Sequence, residues 1–269
     1  MSWRLTENAE EFLAAAGDLL RRDRARNTIL LTATELARAR GGDGALFGHT
    51  DDGAFVHIPP RPVVLTDIRN GAAVSLAREL ASCGHEPVGV NAPAESAGAF
   101  AAEWEKLTGA TARPFRSTRL FRLEEFTPPD PLPEGTPRVA DSRDRDLIVG
   151  WSEAFASETG DLGRDHASAV DGDIARGGTT LWEVDGVTVS MASISPNVAD
   201  MARVFAVYTP PEHRGRGYAG AVTSEVSRAA LSAGIGEIVL FTDLANPVSN
   251  AIYPRLGYRP VQDRVVLVF

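Results

Sequence analysis

PEHRGRGYAGAVTSEV, residues 211–226, sets two arginines and two glycines directly before a run with helical spacing. The stretch RVFAVYT, 203–209, reads as a strand before it, and the prolines at 210 and 211 end that strand. A helix start exposes unpaired backbone N–H groups and carries about half a positive charge, so it holds phosphate when the backbone can come close. Glycine permits that approach, and Arg214 and Arg216 add charge. The Gly-Lys-Ser/Thr of a Walker loop and the Gly-x-Gly-x-x-Gly of a dinucleotide fold are both absent. The physical reading is a pyrophosphate cradle; the alternatives are a solvated turn and an RG-type RNA contact. The net charge of -9 and the lack of further RG repeats count against RNA.

Arg214-Gly-Arg-Gly217-Tyr-Ala219 resembles the Arg/Gln-x-x-Gly-x-Gly/Ala motif of the GNAT superfamily of acyl-CoA-dependent N-acyltransferases, in the same strand-to-helix context. The resemblance implies that the N–H groups of Gly215, Arg216, Gly217, Tyr218 and Ala219 hold the pyrophosphate of coenzyme A. It also implies that backbone atoms of Val207 and Thr209 pair with the pantetheine arm as an added strand would. Downstream, FTDLANPVSNAIYPRLGYRPV at 241–261 is similar to the family's closing motif, with Asn246, Tyr253, Gly257 and Tyr258 in register. Asn246 suits an N-cap, Pro247 a first helical position and Gly257 a helix end. Ser249 and Tyr253 share a helix face, and Asn246 and Ser249 are expected as further cofactor contacts.

Amine attack on a thioester needs a neutral nucleophile, a stabilised oxyanion and a proton for the departing thiolate. The resemblance gives the proton to Tyr253, whose phenol, with an ordinary pKa of about 10, can serve a thiolate of about 8.5. Some family members place a glutamate on the strand before the loop, but the matching position here is Arg203. The base therefore comes through water or from another acid, with Glu153, Glu158, Glu183 and Asp200 as candidates. No metal is expected, because no His, Cys or carboxylate cluster has ligand spacing.

The rest of the chain frames this site. At 269 residues it exceeds one typical domain of roughly 150. With 43% hydrophobic and 23% charged residues it has a globular rather than a disordered composition. The start MSWRLTENAE has no basic region followed by an apolar run, and no stretch reaches the roughly 18 apolar residues of a membrane span, so a cytoplasmic protein without membrane or nucleic-acid partners is expected. Cys83, the lone cysteine, is expected as a small buried residue.

The segment TPPDPLPEGTP, 127–137, has the composition of a linker. On either side the patterns read helix, helix, hairpin, strand, helix, strand, helix, strand, so the expected fold is α/β with a mixed, mostly antiparallel sheet in each of two tandem GNAT-like domains, 1–126 and 138–269. The first copy lacks the motif: only Arg69 and Gly71 stand before its helix, and Trp104 falls where the repeat places Tyr253. It is expected to be degenerate.

The chain is thus read as an acyl-CoA-dependent N-acetyltransferase using acetyl-CoA as cosubstrate. The acceptor is expected to be a small-molecule amine, a peptide N-terminus or a lysine, with helix 151–158 and the loop SISPNVADMA, 193–202, as pocket walls. The alternative is a non-catalytic acyl-CoA sensor, and a homodimer stays open.

Overall fold

The computed structural model describes residues 2–39, 41, 44–160 and 165–269. Its elements run in one order twice. The first series is β1 (Arg4–Thr6), α1 (Ala9–Arg21), α2 (Thr28–Ala39), β2 (Leu46–His49), β3 (Ala54–His57), β4 (Val63–Leu65), α3 (Asn70–Ser82), β5 (Gly89–Ala92), α4 (Ala94–Thr108) and β6 (Arg113–Leu123). The second is β7 (Thr136–Val139), α5 (Arg145–Thr159), α6 (His166–Ala175), β8 (Thr179–Val184), β9 (Val187–Ile194), β10 (Met201–Tyr208), α7 (Tyr218–Ser232), β11 (Glu237–Asp243), α8 (Pro247–Arg255) and β12 (Tyr258–Val268). Each series opens on a strand that the apolar pattern does not announce. β7 carries Pro137, which lacks a donor and is tolerated because β7 lies at the sheet edge, beside β8.

Packing groups the chain into two units. The first holds Met1–Leu120, Thr242–Pro247 and Pro260–Phe269; the second holds Phe121–Phe241 and Val248–Arg259. The grouping is not contiguous in sequence: most of the C-terminal strand packs with the first unit. There β12, not β6, is the antiparallel neighbour of β5, from Val265↔Ala92 to Val268↔Gly89. Gly89 makes the fit possible, since a Cβ on it would lie 2.2 Å from the Leu267 carbonyl oxygen. Phe269 then stacks on Phe100 and Trp104 at centroid distances of 6.2 and 5.8 Å. Burying aromatic surface of this kind contributes about 1.5–3 kcal/mol per side chain.

In the first unit the order is β1-β2-β3-β4-β5-β12-β6, and in the second β11-β10-β9-β8-β7. Each sheet holds one parallel pair, β4/β5 and β10/β11, among antiparallel ones. The first unit's core joins Leu76 and Leu80 of α3 and Phe100 and Trp104 of α4 to Phe55 and Val90 of the sheet. In the second unit, one cluster holds α7 (Ala221, Val222, Val226) and Tyr253 of α8 with sheet residues including Val204 and Leu240. A separate cluster holds Ile148 of α5 and Val170 of α6 with Leu181, Met191 and Tyr208. Cys83, expected inside, is exposed as the C-cap of α3, where the chain has already turned away from that helix's buried face.

Candidate functional site

The DG hairpin, with Asp185 and Gly186 at φ 50° and 77°, sets β9 antiparallel to β8, and β9 in turn pairs antiparallel with β10. The β9/β10 register shifts between Phe205 and Tyr208, and Ala206 within the shift has φ 48°. Such a bulge bends a strand and increases its twist. The parallel pairing of β10 with β11 runs from Met201↔Glu237 to Val204↔Leu240 and stops there, while β10 continues to Tyr208. The β11-facing edge of Phe205–Tyr208, with Val207 in it, therefore lies outside the ladder, which is the geometry that accepts an extended ligand as a further strand.

Beyond β10 the chain makes a 3-10 turn at Pro211–His213 and enters α7 through Gly215 (φ 78°) and Gly217 (φ 83°). Gly217 is the N-cap of α7 and offers no side-chain cap, so the first N–H groups of that helix are left for another acceptor. A Cβ on Gly215 would meet nothing within 4 Å, and one on Gly217 would reach only Pro133 at 3.8 Å. Both glycines are thus required by their left-handed backbone rather than by crowding within the chain. Residues 214–217 are exposed and Ala219 is half-buried. Tyr218 turns its ring into the core at 6% exposure, so only its backbone N–H is available to a ligand.

The two loop arginines differ. Arg216 is exposed, and among the described residues no ion pair is recorded for it. The Arg214 side chain is committed: its Nε donates to the Thr209 carbonyl at 2.8 Å, and its Nη2 donates to both Glu158 oxygens at 2.7 and 2.8 Å. Its guanidinium lies 5.7 Å from the centroid of the Tyr208 ring. Tyr208 Oη is 3.5 Å from Glu158, and burial together with that carboxylate raises the phenol above its ordinary range. The Thr209 hydroxyl meets Ser190 Oγ at 2.9 Å, and Ser190 also donates to the Tyr208 carbonyl. Tyr208 and Ser190 carry no motif signal in the sequence, and neither was singled out there.

On α8, Pro247 is the first residue and the exposed Asn246 precedes it, its N–H donating to the Asp243 carbonyl at 3.0 Å. Ser249 is half-buried. Tyr253 is 6% exposed, with its ring tilted against Phe121 and edge-on to Tyr258, at 6.3 and 6.0 Å. Burial pushes the Tyr253 phenol well above its ordinary pKa, so it stays protonated through the neutral range. Among the described residues its Oη has no hydrogen-bond partner, whereas Tyr258 Oη is taken by Ser227 Oγ at 2.7 Å. Tyr258 is therefore a core residue. Gly257 has φ 93°, and a Cβ there would overlap the Glu125 carbonyl.

Of the four candidate acids, Glu183 is tied to Arg138, which also grips Asp144; this holds the Glu183 carboxyl below its ordinary range and makes it a weak base. Asp200 accepts the Gly236 N–H at 2.9 Å and joins β10 to the turn before β11. Glu153 is exposed on α5. Glu158 alone is brought to the loop. Among the described residues no group of three or more His, Cys, Asp or Glu could hold a metal, and no helix is long and apolar enough to cross a membrane.

The corresponding place in the first unit is built differently. Its α3 also starts without a side-chain cap, but Arg69 is paired with Asp52, and Asp51 faces Arg4. At the end of the β4/β5 pair the fully buried Arg264 of β12 donates to the Leu65 and Asn91 carbonyls at 2.8 Å and to Asn91 Oδ1 at 2.9 Å. Desolvation lowers its pKa to about 10. A charged residue inside the apolar run RVVLVF was the one sequence signal for this contact. Trp104 is in the core, as the stacking above requires.

Residues 138–258 match the family model described as Acetyltransferase (GNAT) family. No curated protein sequence matches the chain. Among solved structures it is similar to an acetyltransferase from the GNAT family of Colwellia psychrerythraea, at 12% identity and a TM-score of 0.62, covering 100% of this chain and 99% of that one. It is also similar to a GCN5-related N-acetyltransferase from Sphaerobacter thermophilus, at 18% identity and a TM-score of 0.63, covering 98% and 94%. A third likeness is to a GCN5-related N-acetyltransferase from Kribbella flavida, at 18% and 0.55, covering 80% and 86%. At these identities the likeness is one of fold, and it extends over both series of elements.

Proposed function

We propose that the chain, whose residues 138–258 match the GNAT acetyltransferase family model, transfers an acetyl group from acetyl-CoA to a primary amine of a small molecule, a peptide N-terminus or a lysine. The observation that carries the reading is the bulged end of β10 leading through two positive-φ glycines into the uncapped start of α7. A pyrophosphate suits that turn, because the space beside Gly215 is open and the first N–H groups of α7 have no side-chain cap. Arg216 supplies the uncommitted positive charge, and the edge at Val207 outside the β10/β11 ladder suits the amides of a pantetheine arm, with Thr209, whose carbonyl already accepts from Arg214, as the next contact in this reading. Asn246 and Ser249 are the remaining contacts in this reading.

The bound thioester supplies the electrophilic carbonyl and the thiolate leaving group. Tyr253 holds its proton for that thiolate. Burial raises the phenol, and the same desolvation raises a thiol leaving into the site, so the match between donor and acceptor survives. The acceptor amine loses its proton through water in this scheme. A chain that bound acyl-CoA without turnover would share the cradle, and Tyr253 is the residue that favours an enzyme over such a sensor.

The test is release of free thiol from acetyl-CoA across a panel of small amines and peptides. Amine-dependent release is the expected result, and tight acetyl-CoA binding with no release for any amine would leave the sensor reading in its place.

In the first unit, Arg264 occupies the carbonyls at the end of β4/β5 and Asp52 neutralises Arg69. The degenerate copy therefore takes no second acyl-CoA, and one cosubstrate binds per chain.

A further inference from the structure

Resting on the acyl-CoA reading above, we infer that Glu158 of α5 is a positioning residue that pre-organises the phosphate loop by bracing Arg214. The family motif draws attention to Arg214 as a source of charge for phosphate. In the structure that charge is met by the Glu158 carboxylate, both of whose oxygens accept from the one Nη2 group, at 2.7 and 2.8 Å. The second donor, Nε, closes the segment from Thr209 to Arg214 by binding the Thr209 carbonyl just beyond β10. The Tyr208 ring lies beneath the guanidinium, and Trp151 and Phe155 of α5 flank that ring at 6.0 and 6.4 Å. One side chain thereby ties the strand that would pair with pantetheine, the turn that would hold pyrophosphate and the helix behind them.

An exposed ion pair contributes little by itself, but this guanidinium is also fixed at the Thr209 carbonyl and set over the Tyr208 ring, so its geometry is held from three sides. Its effect falls on the loop. Two left-handed glycines on either side of Arg216 have no preference of their own for the bound conformation, and ordering them on binding costs affinity. A loop held at Arg214 before the ligand arrives has already met that cost.

Charge and bracing predict opposite signs, which makes the inference testable on the full chain by calorimetric titration with coenzyme A. Glu158→Gln removes a negative charge beside a polyanion site, so electrostatics alone would tighten binding. Loss of the brace instead weakens it, by about fivefold or more. Arg214→Gln weakens binding too, and the double variant binds no worse than Arg214→Gln, because Glu158 acts only through Arg214. Both side chains are about half exposed, so apo melting temperatures should hardly move. Unchanged or tighter binding by Glu158→Gln, or additive losses in the double variant, overturns the inference and leaves the acyl-CoA reading standing. Absence of binding by the wild type overturns that reading and the inference with it.

Discussion

Replacing Tyr253 with Phe separates chemistry from structure at this site. The ring is buried at 6% exposure and packs on Phe121 and Tyr258 through its faces and edges, all of which Phe retains. Among the described residues Oη has no hydrogen-bond partner to strand, so the stability change should stay within about 0.5 kcal/mol. Coenzyme A affinity should be unchanged, because the phosphate loop is untouched. Loss of a positioned general acid lowers turnover by about 10²–10⁴-fold, or roughly 3–5 kcal/mol of barrier. The assay is thiol release under single-turnover conditions with saturating amine, beside denaturant unfolding and calorimetric titration of the same preparation. A variant with normal turnover would refute the role given to Tyr253. A variant that lost stability and cofactor affinity together would show that the phenol is structural.

Three further outcomes follow from the same structure. Gly217→Ala keeps Pro133 at ordinary contact distance but forces a side chain into φ 83°, costing about 1–2 kcal/mol, and coenzyme A affinity should fall as the loop relaxes; a variant as tight-binding as wild type would contradict the cradle. Gly89→Val should be severely destabilising, since its Cβ would meet the Leu267 carbonyl at 2.2 Å and push β12 off β5; retention of the wild-type unfolding profile would contradict the strand placement. His57 is buried against His85, and desolvation and that neighbour lower its pKa from 6.5 to about 4. The unfolded chain therefore binds this proton first on acidification, so up to about 3 kcal/mol of stability, fully present above pH 6.5, is lost as pH falls toward 4. Denaturant unfolding from pH 7.5 to 4.5 should show this slope in the wild type and less of it in His57→Gln.

Much of the second domain was legible because its signals are local. The two positive-φ glycines before α7 and the DG turn before β9 are short-range backbone requirements that only a few residue types meet. Element order repeated at the spacing expected for two copies. What could not be read was long-range partnership. The apolar alternation of β12 says that it joins a sheet, but not that its neighbour is β5, because any edge with the same pattern would accept it. Arg214 looked like a free cation because its partner, Glu158, is 56 positions away. Pro137 hid β7, since edge tolerance is a property of the finished sheet. Tyr208 acquires meaning only once α5 and the loop converge on it.

The claim at the centre of this account is that the second unit holds one acyl-CoA on the turn from Arg214 to Ala219. Calorimetric titration of the full chain with acetyl-CoA tests it most directly, run on the wild type and on Gly217→Glu, which places a carboxylate where the pyrophosphate is expected. The account predicts one site per chain in the wild type and none in the variant. No heat at millimolar acetyl-CoA, two sites per chain, or undiminished binding by Gly217→Glu would contradict it.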